Sequence, residues 1–441
     1  MDSRFRDRRD AFVARIQGGV ALIPAGHIAT RNADNQFAFR QNSDFHYLTG
    51  FDEPDAVLVL APQCSEEASV LFLRPLDREA EIWMGRRLGV EAAPAALGVA
   101  AAFPRAELAA KLPDSLVGAE TLYYELGRDE ALDRTVLAAL AEAKHRVRRG
   151  GTAPRAIVEP GTVLHELRLR KSPEELDLMR RAAAASAAGY RVAMSATRPG
   201  MGEGELEAIL EYQYRLAGAH DVAYPSIVAG GANATILHYL NNCELLRDGD
   251  LVLVDSGAEL DLYASDVSRT WPVNGRFRPE QRALYEIVLR AQLAAIERVR
   301  AGEPVDAYHR AAVRMLTEGL CDLGLLSGSL DELIESEASK PFYPHRTGHF
   351  LGLDVHDVGR YTQADGSFRA FEPGMVVTVE PGLYVQPDAE VPERWRGIGI
   401  RIEDDVLCTS GEPETLTAAI PKRIADLEAL VGSAALARSG R

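Results

Sequence analysis

Apolar and polar positions follow two regimes along this chain. In the first, short apolar runs bounded by turn residues read as strands. They are Ala56-Val57-Leu58-Val59-Leu60 and Ser69-Val70-Leu71-Phe72-Leu73, with the polar turn Pro62-Gln63-Cys64-Ser65 between them. Ala131 to Val147 is rich in alanine and leucine with a basic end, and reads as a helix that Arg148-Arg149-Gly150-Gly151 terminates. The basic run Arg146 to Arg149 then caps that helix with a solvated face, where cations suit the helix dipole, and is not a binding patch. Further on, Ser172-Pro173-Glu174-Glu175 combines an N-cap serine, a proline at the first helical position and a glutamate that completes a capping box. The alanine-rich run behind it predicts one long helix to Ala196, stopped by Arg198-Pro199-Gly200. That cap marks the expected boundary, near Leu167 to Ser172, between a first domain over 1–170 and a second over 171–441. From there to Leu325 helices alternate with apolar runs, and after Lys340 the segments become β-rich and punctuated by glycine and proline. The pattern predicts an α+β or mixed α/β chain, with its chemistry toward the C-terminal end.

Composition narrows the class. The 441 residues allow two or three domains, and 46% hydrophobic against 26% charged residues suffices for a sizeable core. With 49 Lys+Arg against 65 Asp+Glu the net charge is −16, which repels phosphate backbones and argues against nucleic-acid binding. Neither a membrane-spanning apolar run nor, in Met1-Asp2-Ser3-Arg4-Phe5-Arg6, a secretory h-region is visible, so a cytoplasmic location is expected. Cys64, Cys243, Cys321 and Cys408 form no CxxC pair, which disfavours a disulfide framework and a thiolate zinc site.

Candidate chemistry begins with two acids. Leu251-Val252-Leu253-Val254 ends in Asp255, and Asp266 follows eleven positions later. A hairpin turning at Leu260-Asp261 would pair 255 with 266 directly across the strands. Like charges placed so are destabilising unless a cation lies between them; the alternative is two surface acids near a turn. Downstream, Val376-Val377-Thr378-Val379 leads into Glu380-Pro381-Gly382. In Gly397-Ile398-Gly399-Ile400-Arg401-Ile402-Glu403, period-two spacing sets Arg401 and Glu403 on one face and the isoleucines on the other. Glu372-Pro373-Gly374 repeats the Glu380 triplet, but it precedes its strand where Glu380 ends one, so Glu380 is the candidate ligand. Asp354, Asp357, Asp404 and Asp405 are expected to support the site or lie at the surface.

Three of the ten histidines, His345, His349 and His356, fall within twelve residues. The i,i+4 spacing of His345 and His349 would suggest a zincin helix, but Pro344, Gly348 and Gly352 exclude a helix there. His349 and His356 have opposite strand parity, so both face one site only if the chain bends, at Gly352. The ligand set is four carboxylates with imidazole and no cysteine, which suits Mn²⁺, Fe²⁺ or Co²⁺ and also accepts Zn²⁺. Four negative charges balance two divalent ions, which can share carboxylates and a bridging hydroxide. The residues therefore predict a dinuclear hydrolase.

In this order the residues resemble the aminopeptidase P (Xaa-Pro aminopeptidase) branch of the M24B metallopeptidases, whose pita-bread catalytic fold also serves prolidase, methionine aminopeptidase and creatinase. The matching stretches are ATILHYLNN (234–242), LVLVDSGAELDLYASDVSRTWPVNG (251–275), HFLGLDVHDVG (349–359), EPGMVVTVEPGLY (372–384) and GIGIRIEDDV (397–406). QNSDFHYLTGFDEPDAVLVL (41–60) and EIWMGRRLG (81–89) resemble the family's smaller α/β N-terminal domain. The resemblance implies a cytoplasmic metalloprotease cleaving Xaa-Pro-peptides, with two divalent metal ions, Mn²⁺ foremost, and a homodimer or homotetramer. It implies metal ligands at Asp255, Asp266, His349, Glu380 and Glu403, with Asp266 and Glu403 bridging. His238 would contact substrate, His356 would stabilise the reacting amide, and His345 and Arg401 would line the site. Glu380 would also carry a proton, Tyr384 would bind substrate, and Asp44 and Trp83 would close the pocket, across a subunit contact. Two other readings are prolidase, restricted to dipeptides, and a catalytically silent peptide-binding module, against which all five ligands count.

Overall fold

Why the apolar runs become strands is plain from their burial. The structure is a computed structural model that describes residues 3–64, 68–148 and 150–434; of the positions named above, Met1, Asp2, Ser65 and Arg149 lie outside these. It divides into two units, Met1–Arg168 and Leu169–Arg441.

In the first unit, strands β1 (Val20–Pro24), β2 (Val57–Leu60), β3 (Ser69–Leu73), β4 (Ala101–Pro104), β5 (Thr121–Tyr123) and β6 (Ala156–Val158) form a mixed sheet in the order β4-β3-β2-β1-β5-β6. All four residues of β2 are buried, as a central strand covered on both faces requires, and Val57 lies opposite Phe72 of antiparallel β3. Helix α1 (Glu130–Arg146) starts at Asp129, whose carboxylate accepts from the amides of Ala131 and Leu132. It buries Leu132, Val136, Ala139, Leu140 and Ala143 in the sheet's core. Arg146 ends it in surface ion pairs with Glu142 and Asp114.

The second unit opens with α2 (Pro173–Ala196), whose capping box joins Ser172 and Glu175, followed by α3 (Glu203–Leu216). Strands β7 (Ile227–Gly230), β8 (Leu251–Asp255) and β11 (Ser268–Pro272) form one antiparallel sheet, while β9 (Ala258–Leu260) and β10 (Tyr263–Ala264) form the hairpin tip beyond it. Along β8, Val252 and Val254 join the main core with Trp271, Ile400 and Ile402. Leu253 joins a smaller cluster with Ile227, Ala229, Tyr239 and Tyr384. Period-two alternation therefore sends Asp255 to the Leu253 face. After α4 (Pro279–Ile296) and α5 (Ala307–Asp322) come β12 (Val376–Val379), β13 (Gly382–Val385), β14 (Ile398–Arg401) and β15 (Asp404–Leu407). β12 pairs with β15, and β13 with β14.

The expected register of the first hairpin needs correction. Asp255 lies opposite Ser268, and the tip pairs Leu260 with Tyr263, so the strands turn at Asp261-Leu262 and not at Leu260-Asp261. Both turn residues have positive φ, 48° and 65°, the conformation of a two-residue type I′ connection. Asp255 and Asp266 are thus diagonal and not directly opposed. Their separation is bridged by Tyr224, whose phenol sits 2.6 Å from Asp255 Oδ1 and also hydrogen-bonds Asp266 Oδ1, one proton serving two carboxylates.

Behind this sheet lies a buried ionic knot. Arg269 and Asp404, each 0% exposed, meet at 2.7 Å; Asp404 also accepts from Lys422 (2.6 Å), Gln292 (2.7 Å) and Thr417 (2.7 Å). These cations hold the Asp404 carboxyl far below the usual range despite burial, which alone would raise it. Arg269 further donates to the carbonyls of Glu403, Ser268, Pro421 and Ile420. Removing one partner of such a pair strands the other charge, so Asp404→Ala should cost about 3–5 kcal/mol in urea unfolding of the metal-free protein. A loss under about 1 kcal/mol would show that the knot does not support the fold.

Candidate metal centre

Register brings the acids together a second time. The pairings Val379–Asp404 and Gly382–Arg401 set Glu380 opposite Glu403, where the chain passes from one ladder to the next. His349 stands alongside: its carbonyl accepts from Thr378 N–H (2.9 Å) and its own N–H donates to Thr378 Oγ1 (3.0 Å). Gly348 makes this approach possible, since a Cβ there would sit 1.9 Å from the Thr378 carbonyl oxygen. No helix forms at His345–His349, and the chain turns back after Gly352 so that the His349 and His356 rings meet edge to face at 4.3 Å.

These side chains line a cavity of about 760 Å³ with Asp255, Asp266, His238, His345, His356, Glu380, Arg401 and Glu403 in its wall. Ile227, Leu237, Leu240, Val355 and Tyr361 supply the apolar part. One donor atom each of Asp266, His349 and Glu403 lies within 4.8 Å of the other two. His349 Nε2 is 3.4 Å from Asp266 Oδ2 and 3.9 Å from Glu380 Oε1. Asp255 is held by Arg401 at 2.6 Å, and Glu403 accepts from Ser268 Oγ at 2.7 Å.

Four carboxylates thus share the cavity with two arginines, Arg346 and Arg401, of which Arg401 pairs directly with Asp255. Burial is the largest cause that raises Asp255, Glu380 (to about 7) and Glu403 (well above its usual value); mutual repulsion adds to it, while Arg401 opposes it in all three and His349 also in Glu380. At His349 burial works against the charge, but hydrogen bonding and attraction to Asp266, then Glu380, outweigh it and raise the imidazole to about 9. Excess negative charge on hard oxygen donors, with one imidazole, is the environment that fits divalent cations.

The remaining predicted residues divide. His345 Nδ1 faces the Arg346 carbonyl at 2.7 Å and so carries the proton; its Nε2 accepts from the Tyr384 phenol at 2.8 Å. Tyr384 in turn accepts from Arg401 at 3.0 Å. Burial, then the Arg401 charge, lowers His345 to about 3 and keeps it neutral. Tyr384, expected to bind substrate, is 1% exposed, is not among the residues lining the cavity, and hydrogen-bonds His345 and Arg401. Asp44 and Trp83 belong to the first unit and are not in the cavity wall; Arg168 (2.6 Å) and His165 (3.3 Å) hold the Asp44 carboxylate there, while Trp83 is 81% exposed. Three of the four further acids singled out in the sequence have defined partners. Asp405 accepts from the Asp266 amide and Ser265, Asp357 pairs with buried Lys171, and Asp404 ties the Arg269 knot. Glu372 pairs with Arg170 and Arg369 and is not among the residues lining the cavity.

Sequence reasoning missed Tyr224, Ser268 and Arg269, whose roles depend on register; an arginine inside the strand Ser268–Pro272 was the one available signal. It also missed His309, which meets Thr347 Oγ1 at 2.8 Å, with Tyr343 at 2.8 Å beyond. Burial first, then Arg346, lowers His309 to about 4, against the pull of Asp306 and Glu337. Between about pH 6.5 and 4 the unfolded chain takes up this proton and the folded one does not, so the group withdraws stability as pH falls. His309→Gln should narrow the loss of stability between pH 7 and pH 5 by about 1–2 kcal/mol in metal-free urea titrations. Equal losses in both proteins would contradict it.

The chain is similar over nearly its full length to known proteins. The metallopeptidase family M24 model matches residues 177–410, and the model of the aminopeptidase P N-terminal domain matches 5–123. The chain is 47% identical over 433 residues to the Xaa-Pro aminopeptidase of Escherichia coli K12, covering 98% of each. It superposes on the aminopeptidase PepP of Pseudomonas aeruginosa with a TM-score of 0.95 at 46% identity, covering 99% of this chain and 98% of that one. It also superposes on a glutamate-to-alanine variant of Escherichia coli aminopeptidase P in complex with substrate, with a TM-score of 0.94 at 46% identity and 99% of each chain covered.

Proposed function

Because the chain belongs to metallopeptidase family M24 and carries an aminopeptidase P N-terminal domain, we propose that Asp255, Asp266, His349, Glu380 and Glu403 hold two divalent ions, Mn²⁺ first among them. The enzyme is a metallopeptidase with a pita-bread catalytic domain, and it removes the first residue from peptides whose second residue is proline. The domain division we propose is 1–170 and 171–441.

One donor atom each of Asp266, His349 and Glu403 lies within 4.8 Å of the other two, Asp255 and Glu380 line the same cavity, and these five would hold the ions. Ions bound there polarise a carbonyl and lower the pKa of water toward neutrality. The chain's own groups do the rest. The substrate's free α-amine pairs with Asp255, which limits cleavage to N-terminal residues. Glu380 takes the proton released by the nucleophile and delivers it to the proline nitrogen, which cannot leave without one. His238 and His356 donate hydrogen bonds to oxygen gaining charge in the tetrahedral intermediate. Proline has no N–H and a fixed φ, so it leaves no amide proton for the pocket to satisfy; the apolar wall of Leu237, Leu240 and Tyr361 suits its ring.

Cys243, Cys321 and Cys408 are unbridged, which supports a reducing, cytoplasmic setting. Among the described residues, no helix is long and apolar enough to cross a membrane. Exposed Ile82 (79%), Trp83 (81%) and Met84 (52%) support a homodimer or homotetramer.

The donor cluster itself, converging in one cavity, carries this reading. Calorimetric titration of chelator-treated protein should find two Mn²⁺ per chain, and a single site would overturn the two-ion assignment. With a Xaa-Pro-Xaa tripeptide beside the matching dipeptide, the tripeptide should lose its first residue faster; preference for the dipeptide would make the enzyme a prolidase.

A further inference from the structure

His238 reaches the cavity from an irregular segment, and no described residue hydrogen-bonds its ring. Residues 236–244 follow a short 3₁₀ turn, Gly231–Thr235, and belong to no strand or helix. Leu237, His238 and Leu240 line the cavity, with Leu240 54% exposed. Such a segment has no ladder of its own to fix the imidazole. What fixes its backbone is a carboxylate on another element.

That carboxylate is Glu203, the first residue of α3, which is 0% exposed. An acid in the first helical turn is ordinary at a surface, but a fully buried one is costly unless its lone pairs are filled. The hydrogen bonds to its carboxylate all come from residues 230–244, the stretch that contains the segment carrying His238. Oε1 accepts from Gly230 N–H (2.8 Å) and Asn233 Nδ2 (3.3 Å). Oε2 accepts from the Tyr239 phenol (3.0 Å) and Glu244 N–H (2.9 Å). The Glu203 amide closes the ring by donating to the Glu244 carbonyl (2.9 Å). The donors come from both ends of the segment and from Tyr239, the residue next to His238. Asn242, with φ 44°, provides a second fastening: its Oδ1 accepts from Val228 N–H (2.9 Å) and its Nδ2 donates to the Ser226 carbonyl (2.8 Å).

We propose that Glu203 is a positioning residue for peptide cleavage: its buried carboxylate gathers residues 230–244 and thereby sets where His238 stands over the reacting amide. This rests on the reading of His238 given above. Glu203→Gln keeps the shape but turns one accepting oxygen into an NH₂ that faces two donors. A shift of about 1 Å in a group that acts in the transition state costs up to about 100-fold.

Three variants of the metal-loaded enzyme test this: Glu203→Gln, His238→Ala and the double variant, assayed on a Xaa-Pro-Xaa tripeptide. Glu203→Gln should lower kcat about 10–50-fold with KM changed less than about 3-fold. In the His238→Ala background the same substitution should cost under about 2-fold, because the group it positions is gone. Mn²⁺ affinity, read by calorimetry, should stay within about 3-fold, since Glu203 touches no proposed ligand. Equal losses in both backgrounds, or a fall in Tm with kcat unchanged, would overturn the proposal. Should Glu203→Gln fail to fold, Tyr239→Phe removes one donor and leaves the carboxylate. It should lower kcat about 2–5-fold, again only while His238 is present; no loss, or the same loss without His238, would overturn the proposal. If His238→Ala itself leaves kcat unchanged, the reading of His238 fails first. The His238 ring signal in NMR spectra of Glu203→Gln then decides the positioning: a shift supports it and an unmoved signal refutes it.

Discussion

Glu403→Ala will abolish peptide cleavage and metal-dependent stabilisation together. The residue is 2% exposed, its carboxylate is fixed by Ser268 Oγ at 2.7 Å, and it contributes to the three-residue donor cluster with Asp266 and His349. Its backbone is anchored twice: its N–H donates to the Ser268 carbonyl (3.0 Å), and its own carbonyl accepts from Arg269. Activity should fall at least about 1,000-fold, a few kcal/mol of transition-state stabilisation. Wild-type Tm should rise with added Mn²⁺, as any ligand of the folded state requires, and the variant's should not. In chelator the variant should melt no lower than wild type, because one of four crowded carboxylates is gone. Retained activity, or an Mn²⁺-dependent rise in the variant's Tm, would remove Glu403 from the centre.

Glu380→Gln separates holding metal from moving protons. Glutamine keeps one oxygen able to ligate and loses the ability to accept a proton. Glu380 follows β12 directly, its amide donates to the Thr347 carbonyl (2.8 Å), and its Oε2 lies 3.6 Å from His345 Nδ1. The side chain is thus fixed in the cavity by strand geometry. Cleavage should drop about 100–10,000-fold, the range for loss of a positioned acid–base group. The variant should still bind Mn²⁺, more weakly, and should bind tripeptide with nearly unchanged affinity. A variant within about 10-fold of wild type would assign the proton to another group.

Part of this was legible because two of the proposed ligands end apolar runs. Asp255 after Val254 and Glu380 after Val379 read directly as acids at strand ends, and the Ser172 cap fixed the start of α2. The turn at Asp261-Leu262 was not legible, because leucine with positive φ leaves no sequence signal, and the register moved by two. Tyr384 read as a site residue through the family resemblance, which carries no information on burial; its phenol accepts from Arg401. Glu203 and Asp404 carried no signal of their kind, since an acid in a first helical turn and an acid beside Glu403 look ordinary until their partners, tens to more than a hundred residues away, are in place.

The most direct measurement is anomalous diffraction at the manganese edge from crystals grown with Mn²⁺. The account predicts two peaks enclosed by Asp255, Asp266, His349, Glu380 and Glu403, within reach of Glu380 and in view of His238. No peak there, or manganese bound only elsewhere on the chain, would contradict it.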